Sequence, residues 1–384
     1  MLISAAHVKQ LAHELGFDLV GITPASPSPW LAEYERWLAA GMHGAMRWLE
    51  RPDGRERRRN LNALLPQARS IVCVGLNYHR PPTPPELHAD PSRGQIAAYG
   101  CAPDYHRLLS ARLEKLAQSA GFAPHQRRIY VDTGAILERS HAWQAGLGFI
   151  GRHTGLIHPQ HGGDFFLGEL VTIEEFDVYD HPGPPTRCGR CRRCLTACPT
   201  GALVRPYVLD ARRCIAYLTI EHPDWIATEL RPLMGNHVFG CEVCRQVCPW
   251  QRLATPTAEA AWCSIRNADI APPLAELLNL DEPAFTARYS GTPLQRLGRV
   301  RLVRNACIAA GNSGLATLLL VVERLLADTH PVVRGHAAWA LAQLAGTRAT
   351  DQLRHRWEVE VDESVRNELA QALETLQAPH SKPR

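Results

Sequence analysis

The cysteine spacing in the middle of the chain restricts its fold more than any other feature. It opens with Cys188-Gly-Arg-Cys191-Arg-Arg-Cys194-Leu-Thr-Ala-Cys198-Pro199, a complete C-x2-C-x2-C-x3-C-P run, the spacing of bacterial ferredoxins that hold two four-iron clusters. A partial run follows, Cys241-Glu-Val-Cys244-Arg-Gln-Val-Cys248-Pro249, and Cys214 upstream supplies its missing thiolate. In such modules the last cysteine of each run crosses to the other cluster. The spacing therefore predicts Cys188, Cys191, Cys194 and Cys248 on one 4Fe-4S cluster, and Cys198, Cys214, Cys241 and Cys244 on the second. Each crossing cysteine precedes a proline, which has no N–H to donate and turns the chain out of a helix. Zinc favours two separated cysteine pairs over three thiolates in so short a run. Disulfides need an oxidising compartment, and the N-terminus reads as an amphipathic helix, not an export signal.

A chain of 384 residues can hold two or three domains with real cores. No apolar run reaches the length needed to span a bilayer, so a soluble, cytoplasmic protein is expected. A net charge of +4 is too small to identify a nucleic-acid partner by itself. Of the twelve cysteines, Cys73, Cys101, Cys263 and Cys307 lie outside the runs in apolar surroundings and are expected to pack in cores.

Before the clusters, helical spacing over residues 4 to 16 and 105 to 121 alternates with apolar strand patterns at Phe17–Thr23, Ser70–Tyr78, Arg128–Asp132 and Asp164–Thr172. Strands alternating with helices suggest an α/β domain, in which ligands gather beyond strand ends. Asp132 sits at such an end, although a lone strand-end carboxylate also serves as a turn or cap residue. The run Arg51 to Arg59 reads as a solvated helix face or as a site for phosphate or carboxylate groups. Gly146, Gly148, Gly151 and Gly155 mimic a dinucleotide fingerprint, but a helix precedes them where a strand is required. Their expected role is close backbone approach to a flat ligand or to another segment. After the clusters, Val303-Arg304, Val333-Arg334 and Val365-Arg366 open small-residue helices at spacings of about 30 residues, like HEAT repeats; an ordinary helical bundle is the alternative.

Taken together, the chain resembles the epoxyqueuosine reductases. The match rests on Val131-Asp132-Thr133, Leu137-Glu138-Arg139, Ala145-Gly-Leu-Gly148-Phe-Ile-Gly151, Phe166-Leu-Gly-Glu-Leu170, Pro206 to Glu221, Glu229 to Asn236 and both cysteine runs. The resemblance implies a multidomain α+β / α/β architecture: a cobalamin-binding catalytic domain over 1–180, a ferredoxin-like domain with two 4Fe-4S clusters over 181–260, and HEAT-like repeats contacting tRNA over 261–384. It implies reduction of epoxyqueuosine to queuosine at the wobble position of tRNA anticodons, as the last step in making queuosine. The substrates would be tRNAs for Asp, Asn, His and Tyr, the electron donor an unidentified partner, and the enzyme a monomer.

By the same resemblance Asp132 is the proton donor, held near a corrin, shielded from water and protonated near neutrality. Arg58, Leu156, Leu167 and the backbone near Glu242 match cobalamin-contacting positions. Leu61 stands where the family has a proline, which bears on the local turn; Gly134-Ala135 and Gly163-Asp164 also depart from the family pattern, and neither removes a chemical group. For tRNA, Arg296, Arg299 and Arg301 are the expected phosphate contacts; arginines recurring in the repeats are also suited to internal salt bridges. A corrinoid dehalogenase or a non-catalytic electron carrier would share the clusters, but neither accounts for both the repeats and Asp132.

Overall fold

A computed structural model describes residues 2–377. The chain divides into two compact units, each made of three segments: Met1–Pro81, Ala102–Cys214 and Glu242–Ser264 in the first; Pro82–Cys101, Ile215–Cys241 and Ile265–Arg384 in the second.

The first unit begins with α1 (Ala5–Glu14), capped by Ser4, whose side chain accepts from the His7 N–H. Ala5, Val8 and Ala12 form its buried stripe. Strands β1 (Leu19–Pro24), β2 (Ser70–Asn77), β3 (Arg127–Tyr130) and β4 (Phe165–Thr172) make one sheet in the order β1-β2-β4-β3. Every pairing is antiparallel, with Ile22 opposite Val72, and Glu169 opposite both Cys73 and Tyr130. The α/β domain expected here is thus an α+β one, its sheet wholly antiparallel. Strand β2 is buried along its whole length, a pattern that sequence periodicity shares with parallel strands.

Helix α2 (Pro52–Arg59) carries the arginine run. Helix α3 (Tyr105–Ser119) covers one face of the sheet through Leu109, Leu113 and Leu116. A Cβ on Gly168 would lie 2.8 Å from Leu113, so the glycine lets helix and sheet meet. The other face packs Leu19, Ile71, Cys73 and Val171 against Ile136, Ala142 and Leu147, around α4 (Glu138–Gln144). The glycines after α4 serve a second segment: Gly148 has φ +155°, and a Cβ there would stand 2.3 Å from the Ile157 carbonyl oxygen. They shape the small hairpin Phe149–Ile150 against Leu156–Ile157.

In the second unit, α5 (Gly298–Ser313), α6 (Leu319–Leu325), α7 (Pro331–Ala345), α8 (Thr350–Val359) and α9 (Glu363–Gln377) stack, with α5 on α7 and α7 on α9. Val303, Val333 and Val365, the repeating valines, are all fully buried. Successive repeats bury one another's apolar faces, as a HEAT array requires. Cys73 and Cys307 are core residues as expected, but Cys263 is exposed, because its short helix Ala260–Cys263 turns it outward at the C-terminal end. No helix among the described residues is long and apolar enough to cross a membrane.

Candidate active site

The two cysteine runs fold alike. Each makes a short helix, Arg193–Ala197 and Val243–Gln246, and the two helices pack together. Each helix gives way to an extended cysteine, Cys198 at φ −66° ψ 111° and Cys248 at φ −71° ψ 127°, because the proline that follows disfavours helical backbone before it. Burial, with the neighbouring thiols of Cys188, Cys248 and Cys191, pushes the Cys194 thiol up. The Cys248 thiol is raised by burial and by Cys188 and Cys191. Cys188, Cys191, Cys194 and Cys248 are therefore neighbours in space across a gap of fifty residues and more in sequence. The Arg152 N–H donates to the Cys188 sulfur at 3.4 Å, the kind of bond that tunes a cluster's potential. Cys198, Cys214 and Cys244 lie in the same compact unit, and Cys198 contacts the Thr200 hydroxyl at 3.8 Å. Among the described residues all twelve thiols are free of disulfides.

Asp132 follows β3 on a loop, in the left-handed region at φ +55°, which Asp tolerates better than most residues. Gly134 makes this loop possible: a Cβ there would stand 2.3 Å from the Tyr130 ring, which is why this chain has glycine at that position. Tyr105 donates its hydroxyl to Asp132 Oδ2 at 2.8 Å, and His106 Nε2 lies 3.9 Å from the same oxygen. Both rings are held in place. Tyr105 stacks on Phe166 with centroids 4.1 Å apart, while Asp104 caps α3 and engages His106 Nδ1 at 2.5 Å.

The Asp132 side chain is 66% exposed, and the shielding expected of it is that of a bound corrin. It stands on the loop that follows the edge strand β3. The shielded carboxyls are its neighbours. Burial and the Asp132 charge push Glu138, the first residue of α4, up to about 7. Burial, then Glu138 and Asp132, raise Glu169 far above the usual carboxylate range. Sequence reading passed over Glu169 because one acid inside an apolar strand carries no motif beyond the family pattern.

Several residues suit a large cofactor. Arg58 on α2 is 6% exposed, stacks over Tyr34 and donates to the Gly54 carbonyl, yet its Nε has no partner. A buried N–H left over in this way is one that a bound polar group satisfies. Leu156 is buried, and Leu167 packs against the same core cluster. Glu242 pairs with Arg245 at 2.5 Å, and Arg245 also contacts the Tyr78 hydroxyl and lies 3.4 Å from Asp164. Asp164 in turn accepts from His79 at 2.9 Å and Gln251 at 2.6 Å. This buried polar network beside Cys244 was not legible in the sequence, since its members come from three separate stretches.

Two of the three arginines expected to meet RNA are committed elsewhere. Arg299 forms a two-point ion pair with Asp328, at 2.5 and 3.1 Å, and donates to the Leu280 carbonyl. Arg301 donates to the carbonyls of Leu297, Ile220 and Arg296. Both side chains fold back onto the protein because the helix end above them leaves carbonyls to satisfy. Arg304 is fully buried against the Leu218, His222 and Asp224 carbonyls, and Arg334 pairs with Glu360. Arg296 remains exposed, with no side-chain partner among the described residues.

Counting Cys214 with the two runs, seven of the eight cysteines share one compact unit with an acid presented on a loop, a make-up that belongs to the class of iron–sulfur oxidoreductases. Comparison with known proteins narrows this. Residues 187–251 match the 4Fe-4S double cluster binding domain, 58–133 the QueG epoxyqueuosine reductase domain, and 298–374 the HEAT repeats. The epoxyqueuosine reductase of Xanthomonas campestris pv. campestris is 39% identical over 88% of this chain and 96% of its own length. That of Pseudomonas aeruginosa is 40% identical over 88% and 93%, and that of Escherichia coli 39% over 88% and 89%. A crystal structure of an epoxyqueuosine reductase with an epoxyqueuosine-modified tRNA-Tyr stem loop superposes with a TM-score of 0.88 at 29% identity, covering 97% of this chain and 98% of the other. The Bacillus subtilis enzyme, captured with its catalytic aspartate loop swung out of the active site, superposes at 0.85 and 28% identity, covering 97% and 98%. The chain belongs to the epoxyqueuosine reductase family.

Proposed function

We propose that this chain reduces epoxyqueuosine, at the wobble position of tRNA anticodons, to queuosine. The observation that carries the proposal is the family relationship at 39% identity over 88% of the chain, with the QueG domain match reaching Asp132 and the double-cluster match spanning both cysteine runs. A structural relative carrying a modified tRNA stem loop supports tRNA as substrate. In this reading residues 1–180 hold cobalamin and the acid, 181–260 hold two 4Fe-4S clusters, and 261–384 meet the tRNA, with Arg296 one of the contacts. Reduced thiols of this number fit the cytoplasm.

Cobalamin, when bound, supplies the low-valent cobalt chemistry by which two electrons from the clusters reach the epoxide. The protein's own tasks are positioning and proton delivery. Cys188, Cys191, Cys194 and Cys248 bind one cluster and Cys198, Cys214, Cys241 and Cys244 the other. The free N–H of Arg58 is available to a polar edge of the cofactor, Leu156 and Leu167 give apolar support, and the Glu242 backbone lies at a further contact. Asp132 gives its proton to the epoxide oxygen as the C–O bond breaks, which removes developing alkoxide charge. The Tyr105 hydroxyl, bonded to Asp132 Oδ2, holds the carboxyl in one orientation.

The test is anaerobic reconstitution with iron, sulfide and cobalamin, followed by mass analysis of nucleosides from epoxyqueuosine tRNA treated with a chemical reductant. Queuosine should appear only when both cofactors are present. Cobalamin uptake without conversion would overturn the proposal.

A further inference from the structure

The reaction proposed above consumes two electrons and two protons for each epoxide, which leaves as alkene and water. Asp132 is one carboxyl and carries one proton at a time. Glu169, in the middle of β4, is 0% exposed, and neither of its oxygens has a hydrogen-bond partner. A buried polar group without a partner needs an explanation, and an ionised, unpaired carboxylate there would be strongly disfavoured.

Cys73 on β2 and Tyr130 on β3 pair with Glu169 across the sheet, and the charges of Asp132 and of Glu138, which shares α4 with Arg139 and His141, act on it. Burial holds His141 down at about 4 and so uncharged. Burial, with Glu169 and Asp180, raises the Cys73 thiol, so it is neutral as well. Arg58 and Arg139 act on Glu138, and the charges felt by Glu169 are those of Glu138 and Asp132. The three carboxyls thus form a series from the dry interior to the exposed loop.

We propose that Glu169 and Glu138 form a proton store that refills Asp132 within each turnover, Glu169 as the sealed reserve and Glu138 as the intermediary. This rests on the reduction proposed above, which supplies the two electrons. Asp132 first protonates the epoxide oxygen, whose C–O bond breaks to leave a hydroxyl. Glu138 then passes its proton to the Asp132 carboxylate and takes another from Glu169. Asp132 protonates the hydroxyl, the second C–O bond breaks, water leaves and the alkene forms. Solvent protons return to the store through exposed Asp132 once product has gone. Glu138 and Glu169 never touch substrate; they are positioning residues that act through Asp132.

The test is Glu169→Gln, which keeps shape and neutrality but holds no transferable proton. Infrared spectra of the protein without cobalamin should show a neutral carboxylic acid band at neutral pH that the variant lacks. In reconstituted enzyme the variant should keep KM for the tRNA stem loop within about twofold. Its kcat should fall about tenfold or more at alkaline pH and approach wild type in acid, the alkaline limb moving down towards the range of Glu138. An unchanged limb, a loss equal at every pH, or a wild type without the band overturns the store even if turnover is normal. A wild type that has the band but forms no queuosine overturns the reaction that the store would serve.

Discussion

Arg299→Ala separates a structural arginine from one that faces RNA. The Arg299 guanidinium bonds Asp328 at 2.5 and 3.1 Å and the Leu280 carbonyl at 2.7 Å, with 11% and 5% of the two charged side chains exposed. Truncation leaves a buried carboxylate without its cation, a change that costs about 3–5 kcal/mol. At roughly 2–4 °C per kcal/mol for a unit of this size, the unfolding temperature of the repeat unit should fall by about 6–20 °C. Replacing both partners, as in R299M with D328L, should recover much of that loss, because no buried charge is then left alone. Arg296→Ala removes an exposed side chain and should change stability by no more than about 0.5 kcal/mol. Thermal unfolding measures the first effect. Titration of tRNA at several salt concentrations measures the second: R296A should lower the slope of log affinity against log salt by about one, and folded R299A should not. An R299A protein with unchanged unfolding and a reduced salt slope would refute the reasoning.

Asp132→Asn keeps a residue that tolerates φ +55° and should retain clusters and cobalamin while kcat falls about 100-fold or more; near-normal turnover removes Asp132 from proton delivery. Cys194→Ser should cost about half of the reconstituted iron, measured per chain, whereas Cys73→Ser should cost none. Glu360 is held at about 2: burial alone would raise it, and bonds from Arg334, the Asp362 N–H and Arg356 outweigh that. A depressed carboxyl stabilises the fold above its unfolded value of about 4.5 and loses that contribution as pH falls towards about 2. The stability gap between wild type and E360Q should therefore be full at neutral pH and close through this acid window; a gap independent of pH would show that the ion pairs contribute nothing.

Much of the protein was legible from local sequence. Cysteine spacing, the prolines after Cys198 and Cys248, and the recurring Val-Arg pairs each act within a few residues, so their meaning survives without a structure. The four strands of the sheet were legible for the same reason, since apolar runs mark burial wherever the strand pairs. Their antiparallel order was not, because β2 is covered on both faces and hides its alternation.

Charged side chains are the other divide. An arginine codes for a cation in either setting, and only the fold decides whether it meets Asp328, as Arg299 does, a row of carbonyls, as Arg301 does, or solvent, as Arg296 does. A carboxyl's proton affinity likewise depends on water and charge brought near it by distant segments, which is why Asp132 turned out exposed and Glu169 sealed. The sequence by itself determined the double-cluster domain, the repeat array and the family, since spacing and period are properties of neighbouring residues. Tertiary structure alone decided which acids are dry and which arginines are free, because desolvation and pairing are set by what folding brings across the chain.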